Sequence, residues 1–194
     1  MAARNSVKDK MYMSAGKISI RDISHVGIFS AITAVCAQIS IPMPYGVPMT
    51  LQTFAILLAG IILGSKKGAL SAVIYVLIGI VGVPVFANFT GGLGIVIGPT
   101  GGFIISFPIS AFIAGMSRGK NRKLANILMR AMAGTAINFL CGTIFFCLVM
   151  RSGIKTAFMA CAIPFIPAEI IKIITAAILG KNINSLLNKN SLFI

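Results

Sequence analysis

The stretch Met159-Ala-Cys-Ala-Ile-Pro-Phe-Ile-Pro-Ala-Glu169-Ile-Ile-Lys172-Ile-Ile-Thr-Ala-Ala-Ile-Leu179 is apolar but for Thr175 and for one acid and one base three residues apart. A run of about 20 apolar residues crosses a hydrocarbon core as a helix, so the stretch reads as a transmembrane span. The chain has 3 acidic residues, Asp9, Asp22 and Glu169, and only the last lies at membrane depth. An ionisable group there costs roughly 2.5 to 3.5 kcal/mol on insertion scales, which makes it a functional candidate by default. Pro167 suits the first position of a helix, which puts Glu169 in the first turn, where the helix dipole favours a carboxylate by about 0.3 to 1 kcal/mol. A Glu–Lys pair at this spacing adds about 0.2 to 0.5 kcal/mol on an exposed helix. Neither gain matches the several kcal/mol needed to desolvate each ion. The pair therefore reads first as ligand-contacting, with a structural ion pair as the alternative.

The rest of the composition agrees with a membrane protein. The chain is 194 residues long, 57% hydrophobic and 10% charged, with a mean hydropathy of +0.98. Soluble domains carry about 25% charged residues. Its net charge of +14 does not mark a nucleic-acid binder, because the basic residues sit in short clusters between apolar runs rather than along one face. Cys36, Cys141, Cys147 and Cys161 fall inside apolar runs without paired zinc or redox spacing and read as small buried hydrophobes. His25 is the only histidine, too little with Glu169 for a metal centre, so it is placed at the end of the first span. No metal site is expected.

Apolar runs at 23–41, 50–64, 68–86, 101–116, 127–150 and 159–179 predict an all-α integral membrane protein of six transmembrane helices, the second and fourth short. Residues 1–22 form a polar N-terminal arm without the apolar core of a signal peptide. Residues 23–180 form the membrane domain, and 181–194 a C-terminal tail. With both termini cytoplasmic, fourteen of the 17 Lys and Arg residues face the cytoplasm, the exceptions being Arg151, Lys155 and Lys172. That is the positive-inside pattern, and it puts Glu169 and Lys172 in the outer half of the last helix.

The two uncharged loops that then face outward, 41–50 and 91–102, are rich in Pro and Gly. They read either as rigid lids over a cavity or as tight turns between packed helices. The second has the spacing GGxGxxxGPxGG, which is neither a GxxxxGK[ST] loop nor a dinucleotide fingerprint, so the chain is not expected to bind ATP. On the first helix, Gly27 with Ala31 and Ser30 with Ala34 make overlapping small-xxx-small steps, suited to a partner helix or to packing within the bundle. Gln52, Asn88 and Asn138 need hydrogen-bond partners, from one another or from a polar ligand.

Taken in order, Val47-Pro-Met-Thr-Leu-Gln-Thr-Phe54, Leu63-Gly64, Gly68-Ala69, Gly82-Val-Pro-Val-Phe86, Gly91-Gly92, Gly98-Pro-Thr-Gly-Gly102 and Pro164-Phe-Ile-Pro-Ala-Glu-Ile-Ile-Lys172 resemble the BioY family over about residues 23 to 180. Its members are biotin-specific S components of energy-coupling factor (ECF) transporters. The resemblance implies high-affinity capture of biotin outside the cell membrane, and partnership with a transmembrane coupling (T) subunit and two cytoplasmic ATPases. ATP is then used by the partners, and this chain holds no cofactor of its own. It also implies a pocket near the outer face, lined by Gln52, Asn88, Gly91, Gly92, Thr100, Glu169 and Lys172. Lys172 matches the family's lysine, while Glu169 stands where the family pattern has Asp, a reach longer by one methylene. The family's AxxxA docking motif is only approximated by Gly27, Ser30, Ala31 and Ala34.

The ureido ring of biotin has two N–H donors and one carbonyl acceptor. Glu169 suits the donors, Lys172 the carbonyl or the valerate carboxylate, and Val47, Met49 or Phe103 the apolar edges. Arg151 and Lys155 are positioned to attract an anion. The rival readings are an S component for another vitamin and a self-sufficient proton-coupled secondary transporter using Glu169. An enzyme is not expected, because no nucleophile and base are spaced for it.

Overall fold

The structure is a computed structural model that describes residues 19–43, 46–117 and 123–189. Eight helices and one two-stranded ribbon occur among them. Helix α1 is Ile20–Gln38; strands β1 (Ser40–Ile41) and β2 (Met49–Thr50) follow; then α2 (Gln52–Leu63), α3 (Ser65–Ile80), the one-turn α4 (Leu93–Val96), α5 (Gly101–Gly115), α6 (Leu124–Met150), α7 (Ile154–Cys161) and α8 (Ile166–Lys189). Short 3₁₀ turns lie at Ala87–Phe89 and Ile163–Phe165.

Among the described residues, three segments are long and apolar enough to cross a membrane: Ile20–Gln38, Leu124–Met150 and Ile154–Leu187. Helices α2 and α5 are apolar but shorter. The shortness of α2 has a cause in packing. It contacts α1, α3, α5, α6 and α8, and ten of its 12 residues are buried. A helix that is apolar all round and enclosed by other helices satisfies its surface against protein, so its length need not match the bilayer. The outward surface of the bundle is apolar as well, with Ile23, Ile28 and Val35 on α1, Met129, Leu140 and Leu148 on α6, and Ile170, Ile174 and Ile178 on α8 exposed. A surface of this kind is solvated by lipid.

Several boundaries differ from those read in the sequence. Helix α1 starts at Ile20 rather than at 23, because Ser19 precedes the first turn and its backbone N–H donates to the Asp22 carboxylate at 3.4 Å. Asp22 also pairs with Lys67 and so ties the start of α1 to α3. The third run ends as a helix at Ile80 instead of 86. Gly82 turns the chain with φ +110°, and Pro84 disfavours a helical residue before it. The last run is not one straight helix. Pro164 and Pro167 lack the N–H that a continuous ladder requires, and the chain passes through the Ile163–Phe165 turn between α7 and α8.

Helix α8 continues to Lys189, into the stretch read as a tail from 181, and residues 190–194 lie outside the described ones. So do the arm's residues 1–18 and Arg118, Lys120 and Arg122, which carry much of the expected charge asymmetry.

Close helix approach is set by glycine. Gly64, at φ +85°, is the single residue between α2 and α3, and its N–H donates to the Gly60 carbonyl at 2.8 Å. A Cβ on Gly60 would stand 2.3 Å from the Ala111 carbonyl oxygen of α5. A Cβ on Gly27, by contrast, would meet nothing within 4 Å. Gly60→Ala is therefore expected to lower the melting temperature of the protein in detergent, by an overpacking cost of about 1 to 3 kcal/mol. Gly27→Ala should leave it unchanged or raise it through helix propensity. Equal melting temperatures for the two variants would contradict the α2–α5 contact.

Candidate binding site

A cavity of about 210 Å³ opens where β2, α2, α5, α6 and α8 converge under the 86–90 turn. Five phenylalanines, Phe86, Phe103, Phe107, Phe139 and Phe165, line it. Phe139 meets Phe103 and Phe165 edge to face, with centroids 6.1 and 6.3 Å apart. The break between α7 and α8 brings Phe165 to this wall and starts α8 beside it, so Glu169 stands in the first turn as expected, although Pro167 is the second helical residue and not the first.

The charged end of the cavity is one connected cluster. Lys172 Nζ donates to Glu169 Oε1 at 2.5 Å, to the Thr50 carbonyl at 2.6 Å and to Thr53 Oγ1 at 3.2 Å. Thr53 Oγ1 donates in turn to Glu169 Oε1 at 2.8 Å. Both ions are buried, with 5% of the Glu169 side chain and 8% of the Lys172 side chain exposed. All three N–H bonds of Lys172 therefore have acceptors within the protein, and the lysine holds Glu169 and β2 in place instead of offering a spare donor. Glu169 Oε2 is different: it is buried and has no hydrogen-bond partner.

Gln52 lines the cavity, but most of its amide is engaged. Its Oε1 accepts from Thr50 Oγ1 at 2.9 Å, and its Nε2 donates to the Tyr75 hydroxyl, which donates to the Val85 carbonyl at 3.0 Å. Asn88 lines the exposed rim, where its Oδ1 accepts from Ser40 Oγ at 2.5 Å. Thr100 lines the wall at the start of α5.

Gly91 and Gly92 are not among the lining residues. The Gly92 N–H donates to the Gly79 carbonyl at 2.7 Å, and a Cβ on Gly91 would stand 2.4 Å from the Val83 carbonyl oxygen, so both seat the loop against the end of α3. Of the expected apolar contacts, Val47 and Phe103 line the cavity, while Met49 packs beside it. Arg151 and Lys155 are exposed at the α6–α7 turn.

The four small residues of α1 divide between two surfaces. Ser30 is buried and donates toward the Val26 and Ser71 carbonyls at 2.9 and 2.8 Å, and Ala34 packs on the core; Gly27 and Ala31 face outward.

The two proline- and glycine-rich loops take more regular forms than their composition suggests. The first is an antiparallel ribbon pairing Ser40 with Thr50 and Ile41 with Met49; Pro44 and Tyr45 at its tip lie outside the described residues. The second contains the helical turn α4. Before it, Asn88 and Phe89 both adopt left-handed backbone conformations, at φ +58° and +56°. For a bulky residue such as Phe89 that conformation is strained and must be held by its surroundings. Gln38 does this from the end of α1: its Nε2 donates to the Phe86 carbonyl at 3.1 Å, and its Oε1 accepts from the Phe89 N–H at 2.8 Å. Gln38, Thr50, Thr53 and Tyr75 were not foreseen as parts of the site. Gln38, Thr50 and Thr53 are marked in the sequence only as polar residues near span ends, and Tyr75 lies mid-span with nothing local to mark its partner.

A helical bundle with a lipid-facing exterior and an enclosed aromatic cavity, headed by one buried ion pair, defines a membrane protein that binds a small molecule. The chain belongs to the BioY family, whose description it matches over residues 8–189. It is 43% identical to the protein described as "Probable biotin transporter BioY" of Pyrococcus horikoshii, covering 84% of this chain and 96% of that one. It is 37% identical to the "Biotin transporter BioY" of Thermotoga maritima, covering 86% and 98%. Among solved structures, an S-component for biotin from an ECF-type ABC transporter shares the fold with a TM-score of 0.77 at 22% identity, over 86% of this chain and 92% of that one.

Removing one partner of a buried ion pair leaves the other charge uncompensated, at about 3 to 5 kcal/mol, whereas replacing both with apolar or neutral groups is often close to neutral. Lys172→Met should therefore lower the melting temperature in detergent sharply, and Glu169→Gln with Lys172→Met should recover most of the loss. A single variant as stable as wild type would mean that the pair is not buried as described.

Proposed function

We propose that this chain captures biotin at the outer face of a prokaryotic plasma membrane and passes it inward as the substrate-specificity subunit of an ATP-driven ECF importer. In this reading the chain spans the membrane six times with both termini in the cytoplasm. It works with a transmembrane coupling subunit and two cytoplasmic ATPases, which supply the energy from ATP. The names of the relatives support the substrate, and family membership supports the role.

The observation that carries the reading is Glu169, a buried carboxylate that lines an aromatic cavity and has one oxygen, Oε2, sealed without a hydrogen-bond partner. A buried carboxylate oxygen left without a donor is costly, and a ligand N–H removes that cost through a charge-assisted hydrogen bond of about 1.5 to 3 kcal/mol. The terminal torsion of Glu is broad and roughly two-fold, so either oxygen can turn to a ligand while the other stays on Lys172. The ureido ring fits this end, and the bicycle's apolar faces fit the phenylalanines. Asn88 Nδ2 at the rim and Thr100 Oγ1 on the wall donate to no described residue, and they suit the carbonyl and carboxylate of the ligand. Lys172 acts through Glu169 and β2. For docking to the coupling subunit, the outward Gly27–Ala31 step is the part of the α1 motif available to another helix.

Titration of biotin into purified, ligand-stripped protein in detergent should give saturable one-to-one binding at nanomolar level, with thiamin and riboflavin at least a hundredfold weaker. Five phenylalanines leave room for flat rings, so preference for either comparator would transfer the reading to that vitamin. Glu169→Gln with Lys172→Met, the pair expected to stay folded, should weaken biotin binding by about a hundredfold or more, as expected for losing a charge-assisted bond and its positioning partner. Binding at wild-type affinity in that variant would sink the site. Neutral replacement of Arg151 and Lys155 together should slow association at low salt while leaving the dissociation rate unchanged. An unchanged association rate removes them from the capture step.

A further inference from the structure

We infer that Asn138, in the middle of α6, is a second acceptor for the ligand, so that the cavity reads both ureido N–H groups: one at Glu169 and the other at Asn138 Oδ1. The inference rests on the biotin reading and extends it to a residue outside the charged cluster. Asn138 is 2% exposed and lines the cavity. Its amide orientation is determined by its neighbours on α5. The Asn138 side-chain nitrogen stands 2.9 Å from the Phe103 carbonyl and 2.7 Å from Ser106 Oγ. Ser106 Oγ donates its own hydrogen to the Phe103 carbonyl at 2.9 Å, so toward Asn138 it can only accept. Both contacts demand the NH₂ end of the amide, and the reversed amide would set oxygen against oxygen.

Both Asn138 N–H bonds are thereby used in joining α6 to α5, and Oδ1 accepts from no described residue. It is also not among the sealed polar atoms that lack a partner, so it keeps contact with open space, and the space that Asn138 borders is the cavity. Oδ1 can only accept. At neutral pH biotin has an ionised carboxylate, a thioether, a urea carbonyl and two N–H groups, and of these only the N–H groups can donate to it. Two acceptors without protein donors thus meet a ligand with two donors. A cavity that reads only one N–H tolerates a substituent on the other, whereas one that reads both accepts neither substituent.

The test uses biotin and its two ureido N-methyl derivatives, titrated into the full chain in detergent. Wild type should bind each N-methylbiotin about tenfold or more weakly than biotin, the loss expected for one buried hydrogen bond. Asn138→Ala should lose about tenfold or more for biotin. It should also abolish the penalty of one methyl group, the one that blocks the N–H facing residue 138, and keep the penalty of the other. The inference is overturned if either N-methylbiotin binds wild type as tightly as biotin, a comparison that needs no variant to fold. It is overturned equally if folded Asn138→Ala binds biotin at wild-type affinity or keeps both penalties in full. Each of these results leaves wild-type biotin binding intact, whereas no biotin binding by folded wild type removes the biotin reading itself and this inference with it.

Discussion

A carboxylate and an ammonium in a space closed to water are stable only in each other's company, and Glu169 and Lys172 are held in such a space. Their mutual attraction does not by itself repay the desolvation of two ions, so such a pair persists where further hydrogen bonds satisfy the remaining donors and acceptors. Here those bonds come from elsewhere in the chain: the Thr50 carbonyl at the end of β2 and the Thr53 hydroxyl in the first turn of α2. The pair therefore joins α8 to the junction of the ribbon and α2, 116 to 122 residues earlier in the chain. The single carboxylate oxygen that this arrangement leaves without a donor is what gives the cavity its chemistry.

The rest of the bundle can be understood as the means of bringing those segments together without unsatisfied backbone. Helix α2 carries Thr53 into the centre and is enclosed by five other helices. That position requires close approach, and Gly60 supplies it against α5. The turn at Ile163–Phe165 interrupts the last apolar run so that α8 begins beside the cavity, with its positive dipole end near Glu169. Non-helical backbone near membrane depth is tolerated where protein covers it or where it borders a cavity, and the ribbon and the 86–90 turn both border this one.

Much of this was legible in the sequence because it follows from polarity alone. Long apolar runs predict helices, and a lone Glu three residues before a Lys in such a run predicts a site. What was not legible depends on which distant atoms meet. Nothing local says that Gln38, closing an apolar run, grips the backbone of residues 86 and 89, or that Tyr75 receives Gln52. The glycines of the 91–102 loop read as ligand-facing because glycine permits close approach, but the surface that Gly91 and Gly92 approach is the end of α3. Composition reveals that a close contact exists and is silent about its partner. The prolines misled in a different way. Pro167 signals a helix start, but only together with Pro164 does it break the run into two helices.

The electrostatics of the cavity also constrain how an anionic vitamin lies in it. The ion pair is neutral as a unit, and the three Lys172 N–H bonds are spent on protein acceptors. No other charged residue among the described ones lines the wall. A carboxylate pushed to the Glu169 end would meet a carboxylate that can only accept and a lysine whose N–H bonds are already used, so it would lose its hydration with no donor to replace it. An uncharged ring with N–H groups meets the same end favourably. In the proposed reading the neutral head enters first and the charged tail remains toward Asn88 at the exposed rim, where water solvates it. Orientation follows from where charge is tolerated, and it requires no cation dedicated to the tail.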